Sequence, residues 1–361
     1  MQLYENELWL NDIDTIINNN PEIENFNGKT ILITGATGLI CSSIVDVLLR
    51  YNEKRNGNIR VVAAGRSRDK LISRFGPLSN YESLSFIHYD ATRESNFFDF
   101  EGNVDYIIHG ASNAFPSRVM KEPVETMMAN LLGMKQLLDY AKKRYTKKLL
   151  FISSSEVYGK TNKATPLNET DYGFIDLLEP RNSYSISKRA TETLCISYAE
   201  EYGVKTVIAR PGHIYGPTAS DEDSRVSSAW AYSAANGVDI VMKSEGLQLR
   251  SYCYSLDCAS ALLMVLLKGE PLQAYNISNP GSIISIKELG TLLAKAGGIR
   301  LINEIPSNED MRKFNPMTNS SLRADRLIGL GWKGCFNAET GLEHTVSILK
   351  DLNGMQKSVI Q

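Results

Sequence analysis

Histidine is scarce and cysteine is scattered in this 361-residue chain, which has four of the first and five of the second. Cys41, Cys195, Cys253, Cys258 and Cys335 form no C-x-x-C pair and none stands at zinc spacing from a histidine. Neither a disulfide framework nor a structural metal is expected. An excess of charge of one sign is also missing. Lys+Arg of 39 against Asp+Glu of 41 leaves a formal net charge of −2, which cannot neutralise a phosphate backbone and excludes nucleic acid as the main partner. A single nucleotide needs only a few local contacts and stays possible. Long apolar runs are absent: the longest, Ala261–Leu267, is far below the roughly 18–20 residues that span a bilayer. The opening MQLYENELWLNDIDTIINNN lacks the basic and apolar regions of a signal peptide. A soluble protein of a reducing compartment, the cytoplasm, is expected, with no membrane partner. No internal repeat or low-complexity tract is visible, and 43% hydrophobic residues allow a sizeable core. The length suits one large α/β domain or two fused units.

Residues 1–27 read as an amphipathic helical extension, with Leu8, Trp9, Ile13, Ile16 and Ile17 as the apolar stripe of a docking segment. Short β-branched runs follow at Thr30–Thr34, Ile59–Ala64, Leu84–Ile87, Tyr106–His109, Leu149–Ile152 and Lys205–Ala209. Most are separated by helical periodicity, as in Leu39–Leu49, Val124–Arg144 and Ser187–Tyr202. Strands alternating with helices imply right-handed crossovers and an α/β fold with a doubly wound parallel sheet. After about residue 212 the alternation breaks down around a Tyr/Cys-rich patch, Ser251–Tyr254. The expected division is therefore a nucleotide-binding domain over 28–212 and a smaller substrate-binding lobe over 213–361, with contacts back to the first.

Three motifs carry chemistry. The first is T34-G-A-T-G-L-I-C41, between an apolar strand and an apolar-periodic helix. Gly35 permits a tight turn, Gly38 lets backbone approach a pyrophosphate, and the helix N-terminus offers free N–H groups. The strand–turn–helix context favours nucleotide binding over a plain βα turn. The second is Tyr184-S-I-S-Lys188; of 17 tyrosines only Tyr184 has Lys four residues on. That spacing puts both side chains on one helix face, where an ammonium can lower the phenol pKa and make Tyr a base for a substrate hydroxyl. The third is F151-I-S-S-S-E-V-Y-G159, whose hydroxyls can reach the same substrate oxygen or simply cap a turn, while Glu156 adds a carboxylate.

These motifs, with HGAS at 109–112 and ARPGHIYGP at 209–217, resemble the extended short-chain dehydrogenase/reductases that act on nucleotide sugars, the NAD-dependent epimerase/dehydratase family. The resemblance runs from about residue 29 to 350, including the stretch Asn315–Trp332. It implies a Rossmann domain with bound NAD(P), a lobe gripping a nucleotide diphosphate-sugar, and a homodimer through Val124–Arg144 and Ser187–Tyr202, although sheet-facing core explains their apolar residues equally. Cofactor contacts are implied for Gly35, Thr37, Gly38, Leu39, Ile40, Arg66, Asp90, Ala111, Tyr184 and Lys188. Substrate contacts are implied for Ser112, His213, Arg225 and Arg250. The catalytic set is Tyr184, Lys188, Ser154, Ser155, Glu156 and Arg250.

Members share oxidation at sugar C4 and differ afterwards. In 4,6-dehydratases an Asp-Glu pair follows the catalytic hydroxyl residue; Ser155 stands in place of that Asp and argues against dehydration. Ser154-Ser155-Glu156 is similar to the Thr-Ser-Glu of UDP-glucuronate decarboxylases, as are Asp223–Val226 and Gln248–Tyr252. In those enzymes an Arg at the position of Arg250 serves the substrate carboxylate or the diphosphate. A UDP-glucuronate decarboxylase-like enzyme is the expectation, with a 4-epimerase or an NADP-dependent ketosugar reductase as alternatives. A non-catalytic NAD(P)-binding sensor is disfavoured because Ser154, Tyr184 and Lys188 are all retained. The chain departs from the pattern in Cys41 for the third glycine, in His213 for a substrate-binding Asn, and in V61-V-A-A-G-R-S-R68, which lacks an acidic residue for a ribose 2′-OH. Arg66 and Arg68 can pair a 2′-phosphate or be solvated loop charges; the first reading favours NADP over NAD.

Overall fold

The structure is a computed structural model and describes residues 2–78, 81–93, 102–304 and 319–358. The N-terminal stripe forms α1 (Glu7–Asn19), whose first turn is capped by Asn6 Oδ1 accepting from the Trp9 N–H at 2.9 Å. Trp9, Ile13, Ile16 and Ile17 are buried, Leu8 packs at the margin of the same core, and two polar pins fix the helix. Trp9 Nε1 donates to Asp46 Oδ2 at 3.0 Å, and Asp12 accepts from Tyr254 Oη at 2.9 Å. The segment docks, as its periodicity predicts.

There follow β1 (Thr30–Thr34), α2 (Leu39–Arg55), β2 (Arg60–Gly65), α3 (Arg68–Phe75), β3 (Leu84–His88), β4 (Tyr106–His109), α4 (Pro116–Lys121), α5 (Pro123–Arg144), β5 (Lys148–Ile152), α6 (Ser183–Tyr202) and β6 (Thr206–Pro211). All six strands pair in parallel in the order β3-β2-β1-β4-β5-β6. Their continuous apolar runs suit burial on both faces: α2 and α1 cover one side, α5 and α6 the other. The order reverses between β1 and β4, which opens a crevice at their carboxyl ends.

The lobe comprises β7 (His213–Tyr215), α7 (Val226–Ala235), β8 (Ile240–Met242) and β9 (Leu249–Tyr254). The chain then returns to the parallel layer. Helix α8 (Ser255–Lys268) holds the longest apolar run and packs on α2, β5 and β6. After it, β10 (Ala274–Ile277) adds a seventh parallel strand beside β6. Four residues containing Asn276 carry too little pattern to announce a strand, so the parallel layer extends past the expected boundary at 212. Beyond lie β11 (Ile283–Ser285), α9 (Ile286–Gly297), β12 (Leu301–Asn303), β13 (Asn319–Ser320), a short helix Asp325–Gly329 and the C-terminal helix Ala338–Ser358. The Tyr/Cys-rich patch is β9, a strand shared by β7, β11 and β13. Of the closing stretch 315–332, residues 315–318 lie outside the described residues; the remainder includes buried Leu322 and Trp332.

Candidate active site

The dinucleotide end is built by backbone. Gly35 leaves β1 at φ +67°, a conformation that favours glycine. A Cβ there would stand 2.8 Å from the Ala111 nitrogen, so the turn is pressed against the end of β4. Gly38 is the N-cap of α2 and exposed, leaving its backbone open beside Thr37 and the N–H groups of Leu39 and Ile40, which begin the helix and lack intrahelical partners. Cys41, at the third-glycine position, is buried, and its thiol occupies the space a Cβ on Gly110 would take, 2.3 Å away. Arg66 and Arg68 are exposed just past β2. Asp90 follows β3. Burial pushes its carboxyl up, but hydrogen bonds from Thr92 and the charges of Arg66 and Arg93 outweigh this and hold it below the ordinary value.

At the other end of the crevice α6 carries Tyr184 and Lys188 on one face. Lys188 is 3% exposed; its Nζ donates to the Ile152 carbonyl at 2.7 Å and lies 4.7 Å from the Phe151 ring centre and 5.6 Å from that of Tyr184. Burial pushes the ammonium down to about 7, against the opposing charge of Glu192. The phenol of Tyr184 is pushed up to about 12, by burial first and Glu156 second, while a hydrogen bond with Ser154 and the charge of Arg225 pull the other way. This corrects the expectation of a phenol lowered by its lysine: burial first, then the negative charge of Glu156, raises it.

The serine run caps a turn, the second of the two readings open to it. Ser154 Oγ caps the 3₁₀ turn Ser155–Tyr158 by accepting from the Glu156 N–H at 3.1 Å and is also bonded to Tyr184. Ser155 opens that turn, half-buried. Glu156 Oε2 accepts from Ser185 Oγ at 3.0 Å and from Arg181 Nη1 at 3.1 Å.

The lobe supplies a cationic wall. Arg225, at the N-cap of α7, is held by Asp223, with Nε 3.0 Å from each carboxylate oxygen, and lies 5.7 Å from the Phe115 ring centre. Arg250 on β9 is 3% exposed and donates to the Leu249 carbonyl at 2.8 Å; burial lowers its pKa. Burial, then the charges of Arg250 and Arg225, push the His213 imidazole down to about 3, so it is neutral at any ordinary pH. His213 Nδ1 and Ser112 Oγ are buried without a hydrogen-bond partner among the described residues. Buried polar atoms of this kind are what a bound ligand satisfies.

Tyr184, Lys188, Ser154 and Glu156 therefore meet, and His213, Arg225 and Arg250 gather close by. Arg66 and Asp90 stand apart, past the ends of β2 and β3. The glycine turn, the open helix N-terminus and the orphaned hydroxyl fit a dinucleotide and its sugar partner. Sequence reasoning missed Arg181, a charge in a loop with no spacing to mark it. It also missed the buried network in which Arg210 binds Glu192 at 2.9 and 2.6 Å and Tyr158 at 3.2 Å, while Ser153 Oγ donates to Glu192 at 2.5 Å.

A family model described as the NAD dependent epimerase/dehydratase family matches residues 31–278. A UDP-glucuronic acid decarboxylase of Arabidopsis thaliana is 32% identical over 286 residues, 78% of this chain and 80% of that protein. Among solved structures, a UDP-glucose 4-epimerase of Thermotoga maritima with UDP-glucose aligns with TM-score 0.75 and 25% identity, covering 90% of this chain and 99% of the other. A UDP-glucuronic acid 4-epimerase of Bacillus cereus, in complex with a uronic-acid analogue and NAD, shares the fold with TM-score 0.76 and 21% identity over 90% and 99% of the two chains.

Proposed function

The chain belongs to the NAD-dependent epimerase/dehydratase family, and we propose that within it the protein decarboxylates a UDP-uronic acid, UDP-glucuronate being the substrate tested first. It is an NAD-dependent nucleotide-sugar enzyme. When bound, NAD(P) supplies a reversible hydride acceptor for sugar C4. Gly35, Thr37, Gly38, Leu39, Ile40 and Ala111 would hold it, with Asp90 and Arg66 at the adenosine end; Arg66 makes NADP the favoured form. Tyr184, hydrogen-bonded to Ser154, would take the C4 hydroxyl proton as its phenolate, the minor form of a phenol raised to about 12, and Lys188 anchors the nicotinamide ribose. His213, Arg225 and Arg250 bind the diphosphate, and Ser112 the sugar. A uronic acid with a ketone at C4 is a β-keto acid, which loses CO2 once its carboxylate is oriented and poorly solvated. This leaves an enolate that takes a proton at C5 before the hydride returns to C4 to give the pentose.

The observation that carries this reading is Glu156. Its carboxylate is fixed beside Tyr184 while Ser155 stands where a dehydratase would have its acid. A fixed negative charge next to the substrate carboxylate raises that group's energy, and departure of neutral CO2 relieves it. Incubation with UDP-glucuronate and either cofactor tests the reading: CO2 and a UDP-pentose support it, whereas UDP-galacturonate assigns the protein to the epimerases instead. We also propose a cytoplasmic homodimer through α5 and α6, testable by sedimentation. Among the described residues no helix is long and apolar enough to cross a membrane.

A further inference from the structure

We infer that Arg181 selects for a carboxylate on the sugar, a role that rests on the uronic-acid reading above. Arg181 sits in the 3₁₀ turn Pro180–Asn182, which packs against α4 and runs directly into the helix bearing Tyr184. Among the described residues one of its side-chain donors is engaged: Nη1, on Glu156 Oε2 at 3.1 Å, an oxygen that Ser185 Oγ also holds at 3.0 Å. Glu156 Oε1 and Arg181 Nε and Nη2 have no hydrogen-bond partner among the described residues. The pair is partly exposed, with side chains 42% and 39% exposed. Glu156 is close enough to Tyr184 to raise its phenol, so the spare guanidinium face and the substrate oxygen served by Tyr184 share one neighbourhood.

A sugar carboxylate entering beside Glu156 brings a second negative charge to the same place. Two carboxylates coexist there if one cation is shared between them. A guanidinium does this well, because its fork presents several donors in one plane. Arg181 keeps its contact with Glu156 and offers its free edge to the substrate. His213, Arg225 and Arg250 sit on the lobe strands and at the start of α7, where the reading above assigns them to the diphosphate. An uncharged hydroxymethyl group at the same carbon gains nothing from Arg181. The contact exists before CO2 leaves and is lost as it leaves, so it contributes binding of the ground state rather than rate.

Calorimetric titration of the full chain with NAD bound, using UDP-glucuronate and UDP-glucose as probes, tests this, with CO2 release followed separately. The unaltered protein binds UDP-glucuronate more tightly than UDP-glucose. Arg181→Ala weakens UDP-glucuronate about 10- to 100-fold, as expected for a lost charge-assisted contact, and leaves UDP-glucose within about twofold; Arg181→Lys recovers part of the loss. Glu156→Gln, with Arg181 intact, removes the competing charge and tightens UDP-glucuronate alone. The inference is overturned by equal losses on both probes, by no loss, or by absence of a preference in the unaltered protein. Should Arg181→Ala fail to fold, unchanged or weakened UDP-glucuronate binding in Glu156→Gln overturns it equally. Intact selectivity without CO2 release removes the decarboxylase reading and leaves Arg181 in its role.

Discussion

Replacing Lys188 by Met is expected to inactivate the protein and to stabilise it. Lys188 is an ammonium group almost wholly removed from water, with one carbonyl and two aromatic rings around its Nζ. Its pKa falls from an ordinary 10.5 to about 7. The unfolded chain therefore binds the proton more readily than the folded one. As pH falls from 10.5 toward 7 the unfolded state gains a proton that the folded state refuses, and stability drops; below 7 the full penalty is present. A fall of that size corresponds to roughly 5 kcal/mol. Methionine is of similar length, carries no charge and fills an apolar slot readily. Urea midpoints measured from pH 6 to 10.5 should show the variant ahead by the largest margin at pH 6, with the margin closing steadily toward 10.5. A margin independent of pH would refute the reasoning, since it would mean that Lys188 titrates alike in both states.

Tyr184→Phe should abolish turnover and leave cofactor affinity nearly unchanged, because only the proton-accepting hydroxyl is lost; product analysis beside a cofactor titration checks both. Arg66→Ala should weaken NADP more than NAD by about 1.5–3 kcal/mol through loss of a charge-assisted bond to the 2′-phosphate, and equal effects on the two would show a solvated charge. Gly35→Ala should lose dinucleotide binding altogether, since its Cβ would meet the Ala111 backbone at 2.8 Å in a left-handed conformation; fluorescence titration of NADPH reads this directly. Glu192→Ala should destabilise the fold by about 3–5 kcal/mol, the cost of leaving the Arg210 guanidinium buried and unpaired, visible in the urea midpoint.

Strands from Thr30 to Ala209 were legible within one or two residues at most ends, because parallel strands buried on both faces leave continuous apolar runs. The glycine turn and the Tyr184–Lys188 pair were legible for the same kind of reason: a turn of fixed dihedral and a helical face of fixed period each write a spacing into the chain. What spacing does not record is burial. The depressed Lys188 and raised Tyr184 come from neighbours such as Phe151, supplied by another strand. Cys41 in place of a glycine reads as a blemish in sequence, yet across the interface Gly110 gives up the volume that the thiol takes. Arg181 and the Arg210–Glu192 network join residues 25 and 18 positions apart through a loop and a strand, with no period to betray them.

The seventh strand also bears on how the chain is made. Strand β6 is complete at Pro211, but its outer partner β10 is not synthesised until Ile277. On the ribosome the six-stranded sheet waits with an unpaired edge, buried in the finished fold, while the lobe strands and α8 emerge. Exposed edges of this sort invite pairing with other chains. The intervening excursion thus carries a timing burden: truncations ending between residues 212 and 274 should accumulate as aggregates, whereas those retaining β10 should be rescued from that fate.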